Sequence, residues 1–490
     1  MNYLAFDLGA SSGKMYLGRW DGAKLALETV HRFDNAAVPL AGGLYWDFIG
    51  IFQAMNLGVQ KAAALTGNRL ASLGIDTFAN DFSLISRAGD LLAPVRCYRD
   101  DRTLHHREAI FSRMSPRQVY QATGNQISRF STLMQLAAMR EEGQGYLLDH
   151  AYKLLFLPDL LSYYITGEVI AEFTISSVSQ LYDFLAGDWS EEVLAAYRIP
   201  RELLGEIVPP GTVAGSTLKS YRERYGVGPF SVIAVCEHDT ASAFLASPLE
   251  GDGAIISSGT WSLVGTLVDQ PVINTIGFAH NIANEGGYGG RVRLIRNLMG
   301  TWLIQELRTD FRRQGRDYSF EELSAMAAQA APFAYIIDVD DELFYAPGDM
   351  AAKIRQRCRE RLGRAPENAG ELVRCVCESL ALKTRWAVEK LEQFTGKALP
   401  VISIVGGGAQ DQLLCQFMAS ACGRPVMAGP IEAAALGNIL VQMIAGGQLK
   451  NIEQGQELIR RTFPLVHYQP RDTDRWAEAY RLFQSIYQLE

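Results

Sequence analysis

Short apolar runs punctuated by small polar residues alternate along this chain with longer stretches whose apolar positions recur at helical spacing. Tyr3–Asp7 and Lys14–Trp20 flank Gly9-Ala10-Ser11-Ser12-Gly13, which predicts a strand, a tight turn and a second strand. Ile51–Leu65 predicts a helix, Leu73–Thr77 a short buried strand, and Arg107–Ala151 a mostly helical region. Ser231–Val235 is a compact β-branched run that stops at Glu237-His238-Asp239-Thr240, ahead of the small-residue stretch Ala241–Ala246. That pattern predicts a strand ending at a helix N-terminus, the place where open α/β sheets bind ligands. Ala254–Ile256, the turn Ser257-Ser258-Gly259-Thr260 and Trp261–Leu267 then repeat the N-terminal design. A design used twice, half a chain apart, predicts two similar halves, 1–246 and 247–490. In the second half, Ser319-x-x-Glu322 predicts a capping box, Glu371–Leu391 a long helix, Pro400–Val405 a strand and Gln412–Cys422 a helix. Alternating strands and helices in both halves give class α/β.

Composition narrows the class without naming an activity. The 490 residues suit two large domains or three smaller ones, and 48% hydrophobic with 20% charged residues is an ordinary globular balance. The formal charge is −8 and the basic residues are dispersed, so neither a nucleic-acid nor a membrane partner is expected. Seven cysteines at irregular spacing are expected to be reduced structural thiols, with a Cys358–Cys375 bridge left open. The N-terminus lacks the pattern of a signal peptide and no run reaches ~18 apolar residues, so a cytoplasmic protein is expected.

Four places carry candidate chemistry. The turn Ala10-Ser11-Ser12-Gly13-Lys14 presents backbone N–H groups, hydroxyls and an ammonium suited to phosphate oxygens, or is a plain hairpin turn. Its spacing is not a Walker A loop. Asp7 beside it could hold Mg²⁺ through water. The turn around Thr260 has the same physics. Gly406-Gly407-Gly408 lets a flat ring approach the backbone, or is a tight strand–helix turn; Asp411 stands where a dinucleotide fingerprint needs glycine. Asp239 is either a helix N-cap or a general base for phosphoryl transfer to a hydroxyl. Glu285–Gly290 reads as a flexible turn, Asp340-Asp341-Glu342 as a solvated loop and His105-His106 as solvent-facing.

Taken together these motifs resemble the FGGY carbohydrate kinases nearly from end to end. The carriers include Phe6–Lys14, Gly74–Thr77, Tyr98-Arg99-Asp100, His238–Ser242, Ser257–Ser262, Asn284–Gly287, Asn297–Gln305, Val405–Gly408 and Ala428–Ala433. The resemblance implies two ribonuclease-H-like domains of the actin and hexokinase type flanking a cleft, ATP with Mg²⁺, and a small ketose as acceptor. It implies Asp239 as proton acceptor, and His238, Thr240, Asn297, Ala79 and Asp81 toward the sugar. It implies Ala10–Lys14, Thr260, Gln305 and Gly407 toward ATP, and Asp7 near Mg²⁺. A monomer or homodimer is expected. The implied reaction is phosphorylation of L-rhamnulose at its 1-hydroxyl. Where the members that it most resembles usually read Asp-Thr-Trp-Gly-Val-Asp-Phe, however, this chain has Asp76-Thr77-Phe78-Ala79-Asn80-Asp81-Phe82, which leaves L-fuculose or another deoxyketose open. Outside sugar kinases, an actin-like ATPase without a sugar acceptor stays open, and a dinucleotide oxidoreductase is disfavoured by the missing fingerprint.

Overall fold

Contacts divide the computed structural model, which describes residues 1–489, into two units. The first comprises Met1–Ala246, Leu267–Leu294 and Ala433–Thr462; the second comprises Ser247–Thr266, Ile295–Glu432 and Phe463–Glu490.

In the first unit β1 (Asn2–Leu8), β2 (Ser12–Trp20) and β3 (Leu25–Asp34) form an antiparallel meander. β4 (Ser72–Thr77) runs parallel to β1 on the meander's other side. β5 (Thr212–Ser216) and β6 (Ser231–Ala234) complete the order β5-β6-β4-β1-β2-β3. β1 and β4 are covered on both faces, which is why they read as nearly continuous apolar runs. The helix α1 (Phe48–Thr66) packs on the meander through Ile51, Met55 and Val59. Asp47 caps its start by accepting from Gly50 N–H, and Gly67 ends it in the left-handed region at φ 60°.

The helix Ala433–Ala445 packs on β1 and β4 of the same unit. A buried polar chain ties it down. Asn438 Nδ2 donates to Asp76 Oδ2 (2.6 Å), while Gln442 Nε2 donates to Leu4 O (2.7 Å) and to Asn438 Oδ1 (2.7 Å), and Ser72 Oγ donates to Gln442 Oε1 (2.6 Å). Asn438→Ala would strand a buried carboxylate oxygen. It is expected to cost about 1–3 kcal/mol in urea unfolding.

The second unit repeats the connectivity. β7 (Ala254–Ser258) pairs antiparallel with β8 (Trp261–Val268) and parallel with a later strand. β9 (Ala283–Gly286) lies in the first unit's stretch 267–294, where β10 (Val292–Met299) also begins. With β10, β11 (Ile402–Val405), β12 (Val426–Ala428) and β13 (Val466–Tyr468), the second unit's order is β10-β8-β7-β11-β12-β13. The five-strand core β10-β8-β7-β11-β12 matches β3-β2-β1-β4-β6, so the ribonuclease-H-like pattern occurs twice.

Ser319 and Glu322 make both bonds of the expected capping box. The long helix runs over Ala369–Thr395, wider than the periodicity predicts, because Asn368 caps its start by accepting from Glu371 N–H. Two loop readings need correction. Glu285 and Gly286 lie in β9 and are buried, so only the residues from Gly287 onward form the turn. Asp340 accepts from Met299 N–H (2.9 Å) and sits 3.5 Å from Lys383, so it is anchored and not solvated. His106 is half-buried beside Glu142, whereas His105 faces solvent. Cys358 and Cys375 are both buried free thiols. Among the described residues no helix is long and apolar enough to cross a membrane.

Candidate active site

In the first unit β1 and β4 carry Asp7 and Asp76 near their C-terminal ends, and Glu237 and Asp239 follow shortly after the parallel β6. Asp7 faces Asp76 across the parallel pair and Lys14 across the hairpin. The turn after β1 is pinned from outside its open face. Gly9 N–H donates to Ser12 O (2.9 Å), Asn35 Nδ2 to Gly9 O (3.0 Å) and Asn35 N–H to Ser11 O (3.0 Å). Ala10, Ser11, Ser12 and Lys14 keep partial or full exposure. Gly13 is fixed by packing, since a Cβ there would lie 2.3 Å from the Phe33 ring.

Past β6 the chain runs extended to His238 and then enters α2 (Asp239–Leu245). His238 occupies the N-cap position and Asp239 is the first helical residue, so the plain N-cap reading of Asp239 does not hold. This passage is clamped along its length. Glu237 O accepts from Thr77 N–H (2.9 Å), Glu237 N–H donates to Glu172 Oε2 (3.2 Å), His238 N–H to Thr174 Oγ1 (3.2 Å), and Cys236 O accepts from Ser242 Oγ (2.8 Å).

Asp239 Oδ1 accepts from Thr240 N–H (2.5 Å) and Thr240 Oγ1 (3.0 Å), with His238 Nε2 at 3.5 Å. Its Oδ2 receives no hydrogen bond among the described residues. The side chain keeps 31% exposure, yet enough water is removed that burial raises its pKa to about 6, against the pull of Thr240 and Arg293. Asp76 is pushed well above the usual carboxylate range by burial and then by Asp7. Its Oδ1 is buried without a partner among the described residues.

The segment after β4 places Ala79 half-buried and Asn80 in the left-handed region at φ 79°. Asn80 O is held by Thr132 Oγ1 (2.9 Å) and Gln135 Nε2 (3.0 Å), while Asn80 Oδ1 is buried and unpartnered among the described residues. Asp81 is fully buried and accepts from Trp46 Nε1 (2.5 Å) and Gln135 Nε2 (3.4 Å). Burial raises its pKa to about 7. Phe78 lies between Trp46 (4.8 Å) and Tyr98 (5.8 Å), tilted against both rings.

The second unit builds its own cluster around the β7–β8 turn. Gly259 N–H donates to Trp261 O (2.8 Å), the counterpart of the Gly9 bond. Thr301 N–H (3.0 Å) and Oγ1 (2.8 Å) donate to Gly259 O, and Gly300 N–H donates to Thr260 O (3.1 Å). Gln305 Nε2 donates to Thr301 Oγ1 (3.0 Å), which joins Thr260 and Gln305 to one network. Of the three glycines, Gly408 is needed because a Cβ would lie 2.0 Å from Ser258 Oγ, whereas Gly407 is exposed with nothing within 4 Å of a Cβ. Such an open backbone suits a flat ligand ring. Asn297 Oδ1 is buried without a partner among the described residues, an acceptor left for a ligand.

Sequence reasoning missed the buried charges behind Asp239. Asp159, Glu172 and Glu237 are three buried carboxyls, each pushed up first by burial. Glu285 and Arg293 form a buried pair (3.1 Å) next to His238. The readable signal was Arg293 set between Val292 and Leu294-Ile295, because an arginine in a covered strand needs a partner.

Two ribonuclease-H-like sheets, each ending in a hydroxyl-bearing turn, define a sugar-kinase type of phosphotransferase. The chain belongs to the FGGY family of carbohydrate kinases: the model of that family's N-terminal domain matches residues 2–246 and that of its C-terminal domain residues 254–446. It is 39% identical over 485 residues to the rhamnulokinase of Bacteroides thetaiotaomicron, covering 99% of each chain. It is 36% identical over 476 residues to the rhamnulokinase of Bacillus subtilis, covering 97% of this chain and 96% of that one. In fold it matches the ligand-bound xylulose kinase of Lactobacillus acidophilus with a TM-score of 0.84 at 16% identity, covering 99% and 98% of the two chains. It matches Plasmodium falciparum glycerol kinase with ADP at 0.81 and 16%, covering 100% and 98%. The chain is an enzyme that phosphorylates a sugar at the expense of ATP.

Proposed function

We propose that this enzyme transfers the γ-phosphoryl group of ATP to the 1-hydroxyl of L-rhamnulose, giving L-rhamnulose 1-phosphate and ADP. The observation that carries the reading is the Asp239 carboxylate, with Oδ1 held by Thr240, Oδ2 left for a proton, and a pKa raised to about 6. The near full-length similarity to two rhamnulokinases supports the choice of sugar. Asp239 takes the hydroxyl proton as that oxygen attacks the γ-phosphorus and the bond to the β-phosphate oxygen breaks. His238, Thr240, Asn297 and Ala79 orient the ketose, and Asp81 sets the wall behind it.

Residues 1–246 hold the sugar and the first phosphate turn, Ala10–Lys14, and residues 247–490 hold ATP through Thr260, Gln305 and Gly407. Asp7 would hold Mg²⁺. The mutual repulsion of Asp7 and Asp76, and the orphan Oδ1 of Asp76, fit a hydrated cation there. When bound, the ion neutralises charge on the phosphates. We assign the enzyme to the cytoplasm, with its buried thiols reduced, and to a monomer or homodimer.

A second acceptor is favoured by one observation: Asn80 offers an Oδ1 unpartnered among the described residues, where rhamnulokinases usually have valine. A site built to bond a hydroxyl discriminates strongly, so L-fuculose is the alternative. A coupled assay with L-rhamnulose, L-fuculose, L-ribulose and D-xylulose decides between them. L-Rhamnulose is expected to give the highest kcat/KM. A higher value for L-fuculose would transfer the assignment, and ATP consumption that no sugar stimulates would remove it.

A further inference from the structure

Arg293 is fully buried, and its guanidinium lies against the imidazole that precedes the proposed base. Arg293 Nε donates to Gly286 O (2.8 Å), and Nη2 lies 3.1 Å from both His238 Nδ1 and Glu285 Oε2. Nη1 is buried with no partner among the described residues. A buried orphan donor is uncommon and calls for an explanation beyond stability.

Guanidinium carries donors only. His238 Nδ1 must therefore be the acceptor in this contact, which puts the ring's single proton on Nε2. That nitrogen is 3.5 Å from Asp239 Oδ1. We infer that Arg293 is a positioning residue that locks His238 in the neutral Nε2–H form, so that the imidazole donates a hydrogen bond beside Asp239 and does not compete with it for the proton. Glu285 balances the arginine's charge and lies 3.5 Å from the same Nδ1, so the ring would turn to it as a donor once Arg293 was gone.

The groups around His238 act consistently with this. Burial and the Arg293 charge both lower its pKa well below the ordinary value. Glu172, at the start of the helix Phe173–Ser176, and Cys236 and Glu237 on its own loop are all held toward their neutral forms by burial. They therefore add little charge to favour an imidazolium.

The inference rests on Asp239 as the base for its kinetic arm only. With ¹⁵N-labelled histidine in the whole enzyme, and His238→Gln to assign the signal, His238 is expected to show a bare Nδ1 and a protonated Nε2, unchanged from pH 8 to pH 5. A proton on Nδ1, or a titration midpoint above about 6, would overturn the lock. In the charge-balanced pair Arg293→Met with Glu285→Gln, the His238 midpoint is expected to rise toward about 6.5. The acid limb of kcat/KM should then steepen from about tenfold to about 100-fold per pH unit, as two protons come to inhibit instead of one. Arg293→Lys, which keeps a donor and the charge, should retain the single-proton limb. An unchanged limb in the double variant would overturn the inference. Should no ketose stimulate ATP use while the ring keeps its expected tautomer, the kinase assignment fails and the lock stands.

Discussion

Asp239→Asn is expected to lower kcat/KM for the ketose by about 10²–10⁴-fold while ATP still binds, as followed by nucleotide titration alongside the coupled assay. The substitution keeps the shape of the side chain. A carbonyl oxygen can still accept from Thr240 N–H and Oγ1 in the place of Oδ1. What disappears is the acceptor for the hydroxyl proton at the other oxygen. The turns assigned to ATP, Ala10–Lys14 and the segment around Thr260, are held by bonds that do not involve Asp239. The same carboxyl sets the pH profile. Burial raises its pKa to about 6, so the reactive carboxylate form predominates above that pH. As pH falls below it, kcat/KM should drop about tenfold per unit. Near-normal turnover in the variant, or a wild-type rate level down to pH 4, would remove Asp239 from the role.

The turns and strand ends were legible because their causes are local. Gly9–Gly13 and Ser257–Thr260 interrupt apolar strands, and the strand ending before His238 is visible in Ser231–Val235 alone. Asp239 was legible as chemistry, though not as the first residue of a helix whose cap is His238. What escaped the sequence depends on partners far along the chain. Glu172 holds the loop 65 residues later, and Arg293 meets His238 across 55 residues. Glu285 looked like part of a flexible glycine run because its burial is created by strand pairing and by that arginine. Asp340 read as solvated because Met299 and Lys383 lie about 40 residues to either side of it. The first unit also gathers residues 267–294 and 433–462, and no local pattern announces that return.

Gly437 belongs to one of those returning segments, and its replacement is expected to lower stability and turnover together. It sits in the helix Ala433–Ala445, where a Cβ would lie 1.9 Å from Ser242 O, 2.6 Å from Ser242 C and 3.0 Å from Ser242 Cα. All three are backbone atoms of α2, so no side-chain rotation relieves the clash. The two helices must separate by about 1.5 Å to reach ordinary contact. Gly437→Ala should gain about 1 kcal/mol from helix propensity. Overpacking of this kind costs about 1–3 kcal/mol or more, and rigid backbone on both sides puts it at the upper end. A net loss of a few degrees in the thermal midpoint is expected. The displacement also reaches the chemistry, because α2 begins at Asp239. A shift of about 1 Å in a reacting group can cost ~10²-fold in rate, so kcat should fall together with the midpoint. Calorimetry and kcat on the same preparation check both. A variant with unchanged melting and unchanged turnover would mean that the spacing between these helices, and hence the placement of the carboxylate, is set somewhere other than at this glycine.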